Sequence, residues 1–212
     1  MMSTSRKYAP KYAISITDMK LYSYVVRYDT GFAPNPFWGY CTLATCKPGI
    51  RLSAREGDWV IGTGSVRNVG QDRLVYAMRV GRPPLPLEDY YADPKYADKK
   101  PVIKGTLRQR CGDNMYFKEN GQWRRHPSDY HREPGKMKKD IEGRNVLIAD
   151  CFYYFGSDAK VIPLQFRDLI VVRGYKYRHD PQTVKNFLNW LKRSFKSGVN
   201  GVPYDNPGCG CC

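Results

Sequence analysis

The sequence predicts an α+β domain, a small mixed β-sheet or barrel with flanking helices and a long irregular insertion at 81–140. Three observations lead there. Short runs rich in β-branched and aromatic residues recur at 21–28, 40–45, 59–63, 74–80 and 145–155, each bounded by Gly, Pro, Asn or Asp. One amphipathic helix follows them near the C-terminal end. Between 81 and 140, Pro, Tyr and charge are too dense for any single regular element.

The elements follow in order. Residues 1–17 are mixed and basic, an arm or an added edge strand. LYSYVVRY at 21–28 is a strand that ends at Asp29, where DTGFAPNPF must turn. YCTLAT at 40–45 is a second extended piece, and 47–55 holds a turn and a short helical turn. Gly57 and Asp58 open the strand at 59–63, which pairs with 74–80 across the RNVGQD loop. In the insertion, Asn120-Gly121 marks a tight turn. NVLIADCFYYF at 145–155 is a strand, and LIVVR at 169–173 is a strand or a helix. Asp180 is a good N-cap and Pro181 suits the first helical position. Val184, Phe187, Leu188, Leu191 and Phe195 share one face of that helix, and Gly198 can end it. Its lysines and arginine read as a solvated face. One domain over 18–198 and a flexible Cys-rich tail at 199–212 complete the plan.

Hydrophobic residues make up 42% of the 212, enough for a buried core, so global disorder is excluded. No apolar run approaches the roughly 20 residues of a membrane helix, and the N-terminus lacks a secretory h-region. The expectation is a soluble cytoplasmic protein with no membrane partner. A formal charge of +15 together with 14% aromatic residues points to nucleic acid or a nucleotide, because cations hold phosphates while aromatic faces stack on bases. A basic, Tyr-rich surface kept for solubility is the alternative. The seven cysteines are odd in number and widely spaced, against a disulfide framework. Cys41 and Cys151 fall in strand-like runs and read as reduced core residues.

The stretch 29–65 carries most of the chemistry. In TCKPGIR, Cys46, Lys47 and Arg51 cluster around a Pro-Gly turn. The two cations can grip a phosphate, and a thiol beside them can be a nucleophile; a basic turn with a half-buried thiol is the plainer reading. In DTGFAPNPF, Asp29 and Asn35 can read a base edge, while Phe32, Phe37 and Trp38 can stack or plug the core. GDWVIGTGS lacks the lysine of a phosphate loop and is mainly frame, with Ser65 and Thr63 able to bond a base edge. Asp29 has no partnered histidine or carboxylate nearby. Lys99, Lys100, Arg124, Arg125, Lys138 and Lys139 form basic patches interleaved with Tyr and Trp, able to track a phosphate backbone. Cys111, His126 and His131 lack metal-ligand spacing, so no metal site is assigned. The terminal CGCC suits a soft metal or is a dispensable tail.

DTGFAPNPFWGYCTLATCKPGIR and GDWVIGTGS, with the later GDNMYFK and VLIADCFYYFG, resemble the second of the nucleotide-modification-associated domain families, inferred to take part in DNA base modification in bacteria and phages. The order of Gly57-Asp58-Trp59-Val60-Ile61 and 74–80 is also similar to PUA-like domains of the EVE and YTH kind. That likeness implies a small β-barrel flanked by helices, with a pocket for a flipped or modified base lined by Asp29, Phe32, Asn35, Lys47, Arg51 and Ser65. The resulting expectation is a DNA-favouring domain that inserts a modified base among Phe32, Phe37 and Trp38. Its rivals are an enzyme using Cys46 or Asp29 on nucleotides or DNA bases, and a non-catalytic accessory subunit of a DNA-modification or phage-defence system. No cofactor is assigned.

Overall fold

The structure, a computed structural model, describes residues 19–133 and 135–210. The basic arm and the last two cysteines lie outside the described residues. The chain runs β1 (Leu21–Val25), β2 (Cys41–Leu43), α1 (Pro48–Ser53), β3 (Trp59–Thr63), β4 (Arg73–Arg79), β5 (Leu85–Pro86) and α2 (Leu87–Ala92). After a 3-10 segment at Pro94–Lys99 come α3 (Leu107–Arg110), β6 (Tyr116–Glu119), β7 (Gln122–Arg125) and α4 (Lys136–Ile141). Then follow β8 (Asn145–Ala149), β9 (Phe152–Tyr154), β10 (Lys160–Val161), β11 (Tyr175–Lys176), α5 (Pro181–Ser194) and β12 (Gly198–Val199).

The larger sheet is mixed and open, in the order β11-β1-β3-β4-β9-β12, with β10 also on β4. β1 and β3 are parallel, while β3 and β4 form an antiparallel hairpin with a register shift at Gly62/Thr63. A second sheet, β2-β8-β5, lies over one face of the first. The mixed α/β class is as expected, but these described strands do not close into a barrel.

Alternation along the strands sets the layers. Tyr22, Tyr24, Val60, Tyr76, Met78 and Tyr154 face inward to meet Cys41, Leu43, Leu147 and Ala149 of the second sheet, with Ile50 of α1. On the outer face of the larger sheet, Leu21, Trp59, Ile61 and Tyr153 meet Val184, Phe187, Leu188 and Leu191 of α5. The outer face of the second sheet, through Val146 and Ile148, is covered by Leu87, Tyr90, Tyr96, Met115 and Tyr116. Burial of each large side chain contributes about 1.5–3 kcal/mol, so three apolar interfaces hold four layers.

Several sequence expectations change here. The run 145–155 is two strands, since Asp150 and Cys151 turn the chain from the second sheet into the first. Cys41 is buried, as expected, with its thiol pushed up to about 12 by burial. Cys151 in the turn is half-buried. Residues 170–173 are neither strand nor helix; Leu169 ends a 3-10 turn, Leu164–Leu169, in which Phe166 and Leu169 are buried. The region 81–140 does lie over one sheet face, ordered by its aromatics, but it is not irregular throughout. It folds into short elements that form the outermost layer, because its tyrosines have an apolar sheet face to cover. Asn120 and Gly121, both left-handed, do make the tight turn of the β6–β7 hairpin. At α5, the Asp180 carboxylate accepts the Thr183 amide at 2.7 Å, the cap its position predicts.

Candidate active site

β2 ends beneath the outer layer, and the chain turns at Thr45-Cys46-Lys47 before α1. Cys46 and Lys47 both hold left-handed backbone, with φ of 57° and 40°. Non-glycine residues tolerate this only where the surroundings over-determine it, a pattern concentrated at functional sites. The turn projects the Cys46 thiol toward the segment between β7 and α4, where His131 is also left-handed.

There the side chains form a chain of hydrogen-bonding groups. Cys46 Sγ is 3.4 Å from His131 Nε2, and His131 Nδ1 is 2.5 Å from Asp140 Oδ2. The Asp140 Oδ1 accepts the Cys46 amide at 2.8 Å, and Tyr116 donates its hydroxyl to Oδ2 at 2.7 Å. Asp140 therefore fixes the histidine through one oxygen and the Cys46 backbone through the other. Burial works against charge on both groups. Burial tends to raise Asp140, yet hydrogen bonds from His131, Tyr116 and the Cys46 amide hold it below the usual carboxylate range. Burial likewise tends to lower His131, and its bonds with Asp140 and Cys46 overcome this and lift it to about 9. At neutral pH His131 is therefore an imidazolium whose Nε2 faces the Cys46 sulfur.

One buried arginine supports this arrangement from below. Arg51 in α1 is 0% exposed, and its guanidinium donates to the carbonyls of Ala44 and Asp140. It thereby joins the end of β2 to α4. A Cβ at Gly143 would overlap that guanidinium, so the close approach requires glycine. Burial pulls the Arg51 pKa down, and Asp140 opposes the shift.

The thiol opens into a cavity of about 370 Å³, lined by Tyr24, Arg27, Tyr28, Phe32, Tyr130 and Lys136 among others, with Cys46, Lys47 and His131 at its wall. Phe32 and Tyr130 stack at 4.7 Å, and Lys47 Nζ sits 4.4 Å over the Tyr24 ring. This size and aromatic lining suit one small planar ligand.

Of the residues singled out from sequence, Phe32, Cys46 and Lys47 meet at this cavity. Others are spent on structure. Asp29 is buried, accepting from the Tyr154 hydroxyl at 2.6 Å and the Tyr204 amide at 3.1 Å. Asn35 is buried, donating to the Cys111 carbonyl and accepting from Lys99. Phe37 is core, and Trp38 packs edge-on against it at 5.6 Å. Ser65 caps its own loop through the Arg67 and Asn68 groups. Arg51 is a buried strut rather than a phosphate grip, because it has no exposed surface.

Of the basic patches, Lys99 is a correction. It is buried, with Nζ bonded to Asn35 and the Tyr40 carbonyl, and burial lowers it to about 8. Lys100 lies 3.9 Å over Tyr91, Arg124 pairs with Glu119 at 3.4 Å, and Arg125 donates to the His131 carbonyl. Lys138 and Lys139 are exposed on α4. His126 belongs to a separate contact, 2.7 Å from the Tyr91 hydroxyl.

Sequence reasoning passed over His131, Asp140 and Tyr116 as members of this site. In the sequence His131 stands only beside His126 and Cys111, without metal-ligand spacing. Its true partners lie 85 residues from it at Cys46 and nine residues on at Asp140. Ligand atoms of Cys46, His131 and Asp140 lie within 4.8 Å of one another, a set that soft divalent metals accept. Here, however, each imidazole nitrogen already faces one partner, which is the linear order of a nucleophile, a base and an orienting acid.

The fold and site thus define an α+β protein with a cysteine–histidine–aspartate chain at the mouth of an aromatic cavity. No curated protein and no solved structure matches the chain. The family model for nucleotide modification associated domain 2 matches residues 18–208, and the chain belongs to that family.

Proposed function

We propose that this domain is a thiol-dependent enzyme of nucleotide modification. Cys46 is the nucleophile, His131 the acid–base group and Asp140 the residue that positions His131. The carrying observation is the continuous path from Cys46 Sγ through both imidazole nitrogens to Asp140, opening on the Phe32–Tyr130 cavity.

The chemistry is of the acyl-transfer kind that such chains perform. The Cys46 proton is held on His131 Nε2 before the attack, so sulfur bonds to a carbonyl carbon as the thiolate while the carbonyl π electrons move to oxygen. When the tetrahedral adduct collapses, the bond to the leaving group breaks and His131 returns the proton to it. Water or an amine then releases the acyl group from sulfur, with His131 taking its proton and keeping it as the thiolate departs. Asp140 stabilises the imidazolium throughout without losing its charge. General acid–base help of this kind is worth roughly 10²–10⁴-fold in rate.

The base-reading role expected from the sequence has less support, because Asp29 and Asn35 direct their polar groups into the fold. A metal-dependent hydrolase is a second reading, favoured only by the closeness of the three ligand atoms. The test is site-resolved alkylation with iodoacetamide, read by peptide mass spectrometry, in the wild type, His131→Ala and Asp140→Asn, with and without added Zn²⁺. Cys46 is expected to react at least ten-fold faster than the half-buried Cys151, and to lose that advantage in both variants. Equal rates at the two cysteines would refute nucleophilic catalysis, and Zn²⁺-dependent protection that vanishes in Asp140→Asn would favour the metal reading.

A further inference from the structure

The cavity has a rim on which the proposed chemistry makes no demand. Arg27 and Tyr28 follow β1 and line the cavity wall. Arg67, in the β3–β4 loop, lies beside them. The guanidinium carbons of Arg27 and Arg67 are 5.5 and 5.6 Å from the Tyr28 ring centroid. Tyr28 is 55% exposed, and Val66 next to Arg67 is 80% exposed. Polar residues at a rim cost little, whereas a tyrosine and a valine left in water are apolar area that a ligand can cover.

This cluster is held in place. Asn68 Nδ2 donates to the Val26 carbonyl at 3.0 Å, tying the β3–β4 loop to the end of β1. Asn68 Oδ1 accepts the amides of Ser65 and Val69, and Val69 packs on the core. The two arginines therefore flank Tyr28 because two strands end side by side, parallel to each other. Lys47 and Lys136 add charge along the cavity wall, with Glu133 as the opposing carboxylate there. Among the described residues, no ion pair occupies Arg27, Arg67, Lys47 or Lys136.

We infer that the substrate nucleotide is presented as one unit of a single nucleic-acid strand, whose neighbouring nucleotide lies on the Arg27–Tyr28–Arg67 rim. The inference rests on the proposed role of Cys46 and adds the class of substrate. A cavity of about 370 Å³ has room for a single nucleotide unit. A free mononucleotide would leave the rim unused. A strand places its next base against a tyrosine or guanidinium plane and its phosphates beside two arginines, the pairing of stacking and charge that single strands require. A duplex reaches the same arrangement only by extruding the reacting nucleotide.

The experiment measures protection of Cys46 from iodoacetamide by a mononucleotide, by hexanucleotides of DNA and of RNA, by a DNA duplex and by inorganic polyphosphate. Each variant is normalised to its own rate without ligand. A hexanucleotide is expected to give half-protection at a concentration about ten-fold or more below that of the mononucleotide. Tyr28→Ala and Arg67→Glu, both at exposed positions, are expected to bring that ratio below about three-fold. A difference between the DNA and RNA strands names the polymer, and protection by either supports the inference. Equal protection by mononucleotide and strand overturns it, as does polyphosphate matching the strand or Tyr28→Ala keeping the full ratio. An unreactive Cys46 would instead refute the proposed chemistry, so the two failures are distinct.

Discussion

Asp140→Asn is the most direct probe of the site, because it keeps the side chain's shape and removes its charge. In the wild type the imidazole of His131 is lifted from its ordinary 6.5 to about 9 against the opposing effect of burial. An opposite charge in contact accounts for roughly one to three pH units of such a lift. At about 1.4 kcal/mol per unit, Asp140 therefore contributes roughly 1.4–4 kcal/mol to the imidazolium form. The pair is 16% and 3% exposed, so solvent screening removes only a modest part. At pH 7.5 an imidazole titrating near 9 is roughly 97% protonated, and one titrating near 7 roughly 24%. The assay is NMR titration of the His131 ring between pH 5 and 10, with the Cys46 alkylation rate measured in parallel. The wild-type ring is expected to titrate close to 9, and the Asp140→Asn ring at least one unit lower, with the alkylation inflection following it. A wild-type ring titrating at 6.5, or an unchanged ring in the variant, would refute the coupling.

Three further outcomes follow from the same contacts. Burial raises the Asp29 carboxyl from 3.8 to about 6 despite bonds from Tyr154 and Tyr204. The folded state thus holds that proton more tightly, so its stabilising contribution is complete below about pH 4 and lost as pH rises through about 6. Asp29→Asn should flatten the slope of urea-unfolding free energy against pH in that window, while an unaltered slope would assign it to other groups. Gly143→Ala should displace the Arg51 guanidinium, cost about 3 kcal/mol and slow Cys46 alkylation, since Arg51 holds the Asp140 carbonyl; wild-type stability would show that the strut can move. Phe187→Ala, in the core between α5 and the larger sheet, should cost about 3–5 kcal/mol in chemical unfolding and leave normalised Cys46 reactivity unchanged.

The legible parts of the sequence were those whose cause is local. The β3–β4 hairpin is written in the alternation of Trp59–Thr63 and its returning partner, and α5 in Asp180-Pro181 with apolar residues at helical spacing. The region 81–140 was opaque because its elements are short and interrupted by Pro and Gly, and their order comes from covering a distant sheet. For the site, the dense turn around Cys46 and Lys47 is the part of the proposed site that the sequence displays. His131 and Asp140 sit in HREPGKMKKD, a run with the composition of a solvated surface, and only tertiary structure brings them under cover. Asp29 and Asn35 misled for the converse reason: polar residues in a Pro-rich loop looked like ligands, whereas burial had committed them to internal partners.

The layered order of the chain also governs when the chemistry becomes possible. Cys46 leaves the middle of the stack, while His131 and Asp140 arrive with the outermost layer, across sequence separations of 85 and 94 residues. Contacts of such range form only once the entropy of closing the long loop has been met. A nascent or partly unfolded chain therefore carries a plain thiol without its base. Opening of the outer layer alone would return it to that disarmed state while α5 and the larger sheet stay folded. The proposed reactivity is in this sense a property of the assembled layers rather than of the turn that carries the thiol.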